Sequence, residues 1–327
     1  MTRAAPLLAN VPAALLALLS LVSCGSVPQT PEPRRPLVLG AEPVPFAVHG
    51  GSSIKAFIIG EASAPHKVLF VHGWSATGAE FLDLAKAVIA KRPDAVCVCV
   101  DLPGSGSSDK PGDAPYDVPY FRSVLHTVVE AALTYGLDPG SACDGITLIG
   151  HSLGGHLGID YTVHDGFGVA RLGLISPAGW PGEIGPVSIW AAQNDVTMDL
   201  VPELINEETY VRGHRLMMGL SGSSYSEDAV RYSGRALEEP ATKAALKAVT
   251  MNALENSHID DALDSITVPV FLTWGRNDLI LPFQFAAKFM SRLPAGTQFV
   301  PFDGCGHMPH FEHVEELSSL IAVFMDR

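Results

Sequence analysis

Residues 146–155 read Ile146-Thr147-Leu148-Ile149-Gly150-His151-Ser152-Leu153-Gly154-Gly155. Ile146–Ile149 is a short, largely apolar run with a β-branched bias, the pattern of a buried strand. At its end stands Gly150-His151-Ser152-Leu153-Gly154, a G-x-S-x-G sequence, and a helix-compatible stretch follows. A serine on a sharp strand-to-helix turn adopts a strained backbone, and side chains two residues to either side would collide with that turn. Gly150 and Gly154 remove those side chains, so Ser152 Oγ is expected to stand clear at the carboxyl end of the strand. The next amide, Leu153 N–H, opens the helix and points where negative charge would develop on a reacting carbonyl oxygen. With 31 glycines in 327 residues the pattern also arises by chance, so its neighbours must decide.

Three other segments supply complementary chemistry. Residues 68–74, Val-Leu-Phe-Val-His-Gly-Trp, read as a buried strand ending in H-G-x. Residues 270–278, Val-Phe-Leu-Thr-Trp-Gly-Arg-Asn-Asp, read as a strand ending in an acidic loop, and residues 298–307, Gln-Phe-Val-Pro-Phe-Asp-Gly-Cys-Gly-His, as a strand ending in a glycine-flanked histidine. The chain order Ser…Asp…His, with each member after a later strand, resembles the α/β-hydrolase fold family from about residue 44 to the C-terminus. Asp101-Leu102-Pro103-Gly104-Ser105-Gly106-Ser107-Ser108 resembles that family's D-x-x-G-x-G-x-S loop. The resemblance implies a mostly parallel eight-stranded sheet flanked by helices, with a helical cap inserted after the sixth strand.

The resemblance also implies roles. Ser152 is the expected nucleophile, His307 the base that takes its proton, and Asp278 the acid that orients the imidazole. The Trp74 and Leu153 backbone N–H groups are the expected oxyanion hole, two donors worth roughly 3 kcal/mol each, and the Trp74 indole is expected to wall the acyl pocket. His72 competes as base, but the family's H-G histidine serves its loop. Asp303 competes as acid, but sits on the strand leading to His307 and is expected to face away. His310 and His313 follow His307 at i+3 and i+6 and are assigned to the first turn of a final helix, Val314–Phe324. No H-E-x-x-H or paired-cysteine spacing is present, so no metal and no cofactor is expected.

The nucleophile narrows the reaction. Aspartate at this turn would imply dehalogenase or epoxide-hydrolase chemistry, whereas serine implies acyl transfer to water from a carboxylic ester or related small-molecule acyl substrate. Ser176-Pro177-Ala178-Gly179 resembles a branch of the family that cleaves carbon–carbon bonds in aromatic ring-fission products, which stands as the alternative activity. A non-catalytic binding protein that kept the fold is the alternative outside enzymes.

Length, 47% hydrophobic residues and modest charge describe a globular protein with a sizeable core. A net charge of −14, with no basic cluster beyond Arg34-Arg35, argues against nucleic-acid binding. Residues 1–23 read as a signal peptide. Arg3 is followed by a stretch, Val11–Val22, that is apolar except for Ser20 and short of the ~20 residues that span a bilayer. Leu21-Val22-Ser23-Cys24 resembles a bacterial lipobox, implying lipidation of Cys24 and anchoring of an exported protein to a membrane of the cell envelope. Residues 24–43 are read as the tether, and residues 25–45 hold six prolines. The hydrolase core is expected over 44–180 and 265–327 and the helical cap over 181–264, with helical windows at Thr197–Ile205, Thr209–Leu220, Ala236–Leu246 and Pro240–Leu254. Cys97 and Cys99, at i and i+2 of a strand, share one face and read as small buried hydrophobes, while Cys143 and Cys305 fall in loops. No pairing of the four is implied.

Overall fold

The computed structural model describes residues 36–138, 143, 145–180, 205–218, 225–254 and 258–327. The signal segment, Cys24, the tether up to Arg35 and the first helical window up to Glu203-Leu204 lie outside them. Eight strands form one sheet: β1 (Val44–His49), β2 (Ser52–Gly60), β3 (His66–Val71), β4 (Ala95–Asp101), β5 (Ile146–His151), β6 (Val169–Ile175), β7 (Val270–Gly275) and β8 (Gln298–Phe302). Their order is β1-β2-β4-β3-β5-β6-β7-β8. The β1–β2 hairpin and the β2–β4 pair are antiparallel, and every pair from β4 through β8 is parallel.

Parallel strands connected through helices are covered on both faces, and these sequences suit that: β4, β5 and β7 are buried along their whole length. The two faces separate with a period of two. Leu69, Val71, Val98, Val100, Leu148 and Leu272 pack one way, against α2 (Val118–Thr134) and α3 (Leu153–His164). Val68, Phe70, Cys97, Cys99 and Phe271 pack the other way, against α1 (Leu82–Lys91) and α9 (Val314–Phe324). Cys97 and Cys99 thus share a face, both are free and buried, and burial pushes their thiols up. Cys143 and Cys305 are free as well.

After β3 the chain moves to β4 on one side, then returns to place β5 on the other. In an open α/β sheet such a reversal opens a crevice at the carboxyl ends of the strands, where ligands bind. Between β6 and β7 the described residues form α4 (Glu207–Met217), α5 (Glu227–Ala236) and α6 (Pro240–Val249), the last running into a π turn, Thr250–Leu254. They lie against this edge: Tyr210 donates to the Ser75 carbonyl at 3.0 Å, and Thr77 and Ser233 hydroxyls meet at 2.8 Å.

Ahead of α1 the chain makes a 3-10 turn, Gly78–Phe81, because Asp101 Oδ1 accepts the Gly78 N–H at 2.8 Å and fixes this turn to β4. One local expectation needs correction. His310 and His313 are not in the first turn of the final helix. After α7 (Gln284–Met290) and β8, Pro309 starts a separate one-turn helix, α8 (Pro309–Glu312), and the chain breaks at His313 (φ −131°, ψ 49°) before α9 begins.

Candidate active site

The turn between β5 and α3 has the strain the sequence calls for. Ser152 sits at φ 51° and ψ −117°, a region that L-residues rarely enter. The surrounding fold over-determines it: Ser152 N–H donates to the Ile175 carbonyl at 3.0 Å, and its own carbonyl accepts from Ala178 and His156. A Cβ at Gly150 would come within 2.2 Å of the Gly154 carbonyl oxygen, and one at Gly154 within 2.1 Å of the Val71 oxygen. Both glycines are therefore dictated by backbone-to-backbone approach.

His307 lies past the end of β8, buried, with its ring 4.8 Å from that of His151, the residue before Ser152. Its Nδ1 donates to Asp278 Oδ2 at 2.8 Å. The other Asp278 oxygen accepts the Ile280 and Leu281 N–H groups, each at 2.8 Å, so one edge of the carboxylate is fixed by backbone and the other is left for the imidazole. The loops are laced together by Asn277 N–H to the Cys305 carbonyl at 2.8 Å. Asp303 instead points outward, 91% exposed, and pairs with Arg276 at 2.7 Å. His72 accepts the Leu102 N–H at Nε2 and donates from Nδ1 to the Gly73 carbonyl, a tautomer fixed at both nitrogens that ties the β3 loop to the β4 loop.

Leu153 is the first residue of α3, where helix amides have no intrahelical partner and the dipole favours negative charge. Trp74 follows β3, and its indole donates to Thr250 Oγ1 at 2.8 Å, reaching across to the π turn after α6. Between these parts lies a pocket lined chiefly by apolar groups, among them Trp74, Leu102, Phe121, Leu153, Leu237 and Leu246. Its walls thus come from the oxyanion-hole candidates on one side and from α5 and α6 on the other. The Asp101 loop closes one end: Asp101 Oδ2 accepts from Ser107 N–H at 2.8 Å and from the Tyr232 hydroxyl of α5 at 3.1 Å.

Residues 68–320 match the model of the alpha/beta hydrolase family, more than half of the chain. The chain belongs to the alpha/beta hydrolase family. Among curated proteins this hydrolase is 24% identical over 230 residues to a 2-hydroxy-6-oxononadienedioate/2-hydroxy-6-oxononatrienedioate hydrolase of Cupriavidus pinatubonensis, covering 69% of this chain and 74% of that one. Among solved structures it resembles an esterase from Exiguobacterium antarcticum (TM-score 0.68, 20% identity, 86% of this chain and 98% of that one). It also resembles a membrane phospholipase A described as a bacterial virulence factor (TM-score 0.68, 23% identity, 98% of this chain and 93% of that one). At these identities the structural likeness speaks to the fold.

Several residues that shape the hydrolase's site carry no sequence signal. Glu312, buried in α8, accepts the Gly306 N–H at 2.8 Å and so holds the loop that presents His307. His307 N–H donates to the Met217 carbonyl at 2.8 Å, binding the end of α4 to the same loop. Tyr232 and Thr250 reach the site from α5 and the turn after α6. Met217, Tyr232 and Thr250 act across long sequence separations, and Glu312 acts from a separate one-turn helix six residues beyond Gly306, so no spacing rule exposes them.

Proposed function

We propose that the protein hydrolyses carboxylic esters through an acyl-enzyme, with Ser152 as nucleophile, His307 as base and Asp278 as the group that orients it. The observation that carries this is the buried Asp278–His307 hydrogen bond at 2.8 Å, with the His307 ring 4.8 Å from that of His151, the residue before a serine held at φ 51°. Ser152 Oγ attacks the ester carbonyl while its proton passes to His307 Nε2. Asp278 keeps the other imidazole proton on Nδ1 and stabilises the imidazolium. The Trp74 and Leu153 N–H groups receive the oxyanion, the alcohol leaves with the proton from His307, and water then repeats the cycle to release the acid.

The apolar lining favours short-to-medium acyl chains. Carbon–carbon hydrolysis is the second reading, supported by the curated relative named above and by the Ser176–Gly179 segment. It fits less well, because a dienedioate carries two carboxylates and the described pocket lining includes no Arg or Lys. An acyl-chain series of p-nitrophenyl esters, compared with a ring-fission dienone on the purified protein, tests the choice. Ester turnover well above dienone turnover is expected, and the reverse would overturn the ester reading.

We further propose export and anchoring through a lipid on Cys24, on the strength of the segment Leu21-Val22-Ser23-Cys24. Among the described residues no helix is long and apolar enough to cross a membrane. Mass spectrometry of the protein from native membranes is expected to find a chain beginning at a diacylated Cys24. An unmodified Cys24 there would remove the proposal.

A further inference from the structure

Three segments far apart in sequence bring a carboxylate and two imidazoles together beside Ser152. Glu80 comes from the 3-10 turn after β3, His151 from the end of β5 and His310 from α8. All three are buried, and one ligand atom from each lies within 4.8 Å of the others. Glu80 Oε1 is 3.4 Å from His151 Nδ1, and Glu80 Oε2 is 3.7 Å from His310 Nε2. Both distances exceed the roughly 2.7–2.9 Å of a charge-assisted N–H···O bond.

Hydrogen bonding decides what each atom presents. His151 Nε2 donates to the His307 carbonyl at 3.0 Å, which leaves a lone pair on Nδ1. That lone pair and the Glu80 carboxylate face each other, acceptor to acceptor. His310 has no hydrogen-bond partner at either ring nitrogen, and His151 has none at Nδ1. Buried polar atoms left so lose their hydration with nothing in return, which disfavours the fold.

We propose that Glu80, His151 and His310 bind one divalent transition-metal cation, zinc by the character of its donors. Two imidazole nitrogens and a carboxylate are a donor set that zinc takes, and tetrahedral bonds of about 2.0–2.1 Å place donor atoms roughly 3.4 Å apart. His151 already has the arrangement of a ligating histidine, with its other N–H given to a backbone carbonyl. The cation turns facing acceptors into ligands of one centre. It also joins the three loops of the candidate site. Glu80 Oε1 accepts the Gly73 N–H at 3.3 Å beside Trp74, His151 precedes Ser152, and His310 follows His307 by three positions. A site assembled from three separate segments has no sequence spacing, which is why the sequence offers no metal motif.

The test is metal content, which does not depend on the ester reading. The purified full chain is equilibrated with zinc sulfate, gel-filtered into metal-free buffer and assayed by inductively coupled plasma mass spectrometry. One zinc per chain is expected, falling below about a tenth in Glu80→Gln and His310→Ala. Dipicolinate is expected to lower the melting temperature of the parent protein, with recovery on zinc addition, and to leave that of the variants unchanged. Cobalt(II) loading of the unaltered protein gives a readout that survives if a variant fails to fold: visible d–d bands of tetrahedral intensity are expected. Zinc retained equally by folded His310→Ala, or no bound zinc and no cobalt spectrum in the parent protein, would overturn the site and show instead a buried carboxylate–imidazolium cluster. Fluorophosphonate labelling of the same samples reports the nucleophile separately.

Discussion

Asp278 receives two backbone amides on one oxygen and the His307 imidazole on the other, so the role proposed for it is one of orientation. Asp278→Asn keeps an oxygen for the Ile280 and Leu281 amides but turns an NH₂ toward Nδ1, which then has to act as acceptor. The imidazole is forced into the tautomer that cannot take a proton at Nε2. A fall in kcat on the order of 10⁴-fold toward a p-nitrophenyl ester is expected, with little change in melting temperature. A kcat within tenfold of the parent would remove Asp278 from the mechanism. At this scale the residues of the candidate site were legible in the sequence, because Ser152, Asp278 and His307 each follow a strand of the sheet and stand near glycines that the turns require. Asp303 was separable from Asp278 too, although it lies in the turn just past β8 rather than on the strand, and there it stays in solvent. Glu80, His310 and Glu312 were not legible. Their significance lies in what they meet across the fold, and nothing local distinguishes a glutamate buried behind a loop from one in solvent.

The helices between β6 and β7 bear on the site through a few polar contacts. Tyr232 of α5 is the clearest: its hydroxyl donates to the buried Asp101 carboxylate and meets Ser107 Oγ at 2.7 Å. Tyr232→Phe leaves Asp101 with its two backbone donors and removes the link to α5. A loss of about 1–2 kcal/mol in unfolding free energy is expected, together with a raised KM for esters as the wall of the pocket loosens. Unchanged urea midpoint and unchanged KM would show that the contact holds nothing in place. The strands of the core could be read from sequence because a run buried on both faces is mostly apolar and β-branched, with only an isolated polar residue such as Thr147 or Thr273. Helix α5 could not, and the reason is physical. Its sequence, Glu227-Asp228-Ala229-Val230-Arg231-Tyr232-Ser233-Gly234-Arg235-Ala236, is mostly polar, and its charges are satisfied by another element. Arg231 pairs with Glu207, Glu208 and Glu227, and Arg235 pairs with Glu207, so α4 and α5 stabilise each other through ion pairs as well as apolar packing. The expected window Thr209–Leu220 became Glu207–Met217 for a related reason. Asn206 caps the helix by accepting the Thr209 N–H at 3.1 Å, while the Thr209 hydroxyl accepts the Asn206 N–H in return.

For the molecule as a whole, buried histidines set the response to acid. Burial is the first cause that pushes His156 down to about 4 and His214 down to about 3, from an ordinary value near 6.5. The unfolded chain restores the ordinary value, so between about pH 6.5 and about pH 4 it binds more protons than the native state does. Stability therefore rises with pH across this window and is lost as pH falls through it, each histidine contributing up to about 1.4 kcal/mol per pH unit. Urea midpoints measured from about pH 7.5 down to about pH 5 should decrease steadily. A flat profile would mean that these rings accept protons in the folded protein. The same fold places the strained Ser152, the Asp278–His307 pair and the two oxyanion-hole candidates at one sheet edge, where Ser152 is proposed to act as a covalent nucleophile. Peptide mass spectrometry after reaction with a fluorophosphonate probe tests it most directly. A single adduct is expected on the peptide that carries Ser152, absent in Ser152→Ala, with ester hydrolysis in that variant reduced on the order of 10³-fold or more. Ester hydrolysis that persists undiminished in Ser152→Ala, or a probe that labels another residue and leaves Ser152 free, would contradict it.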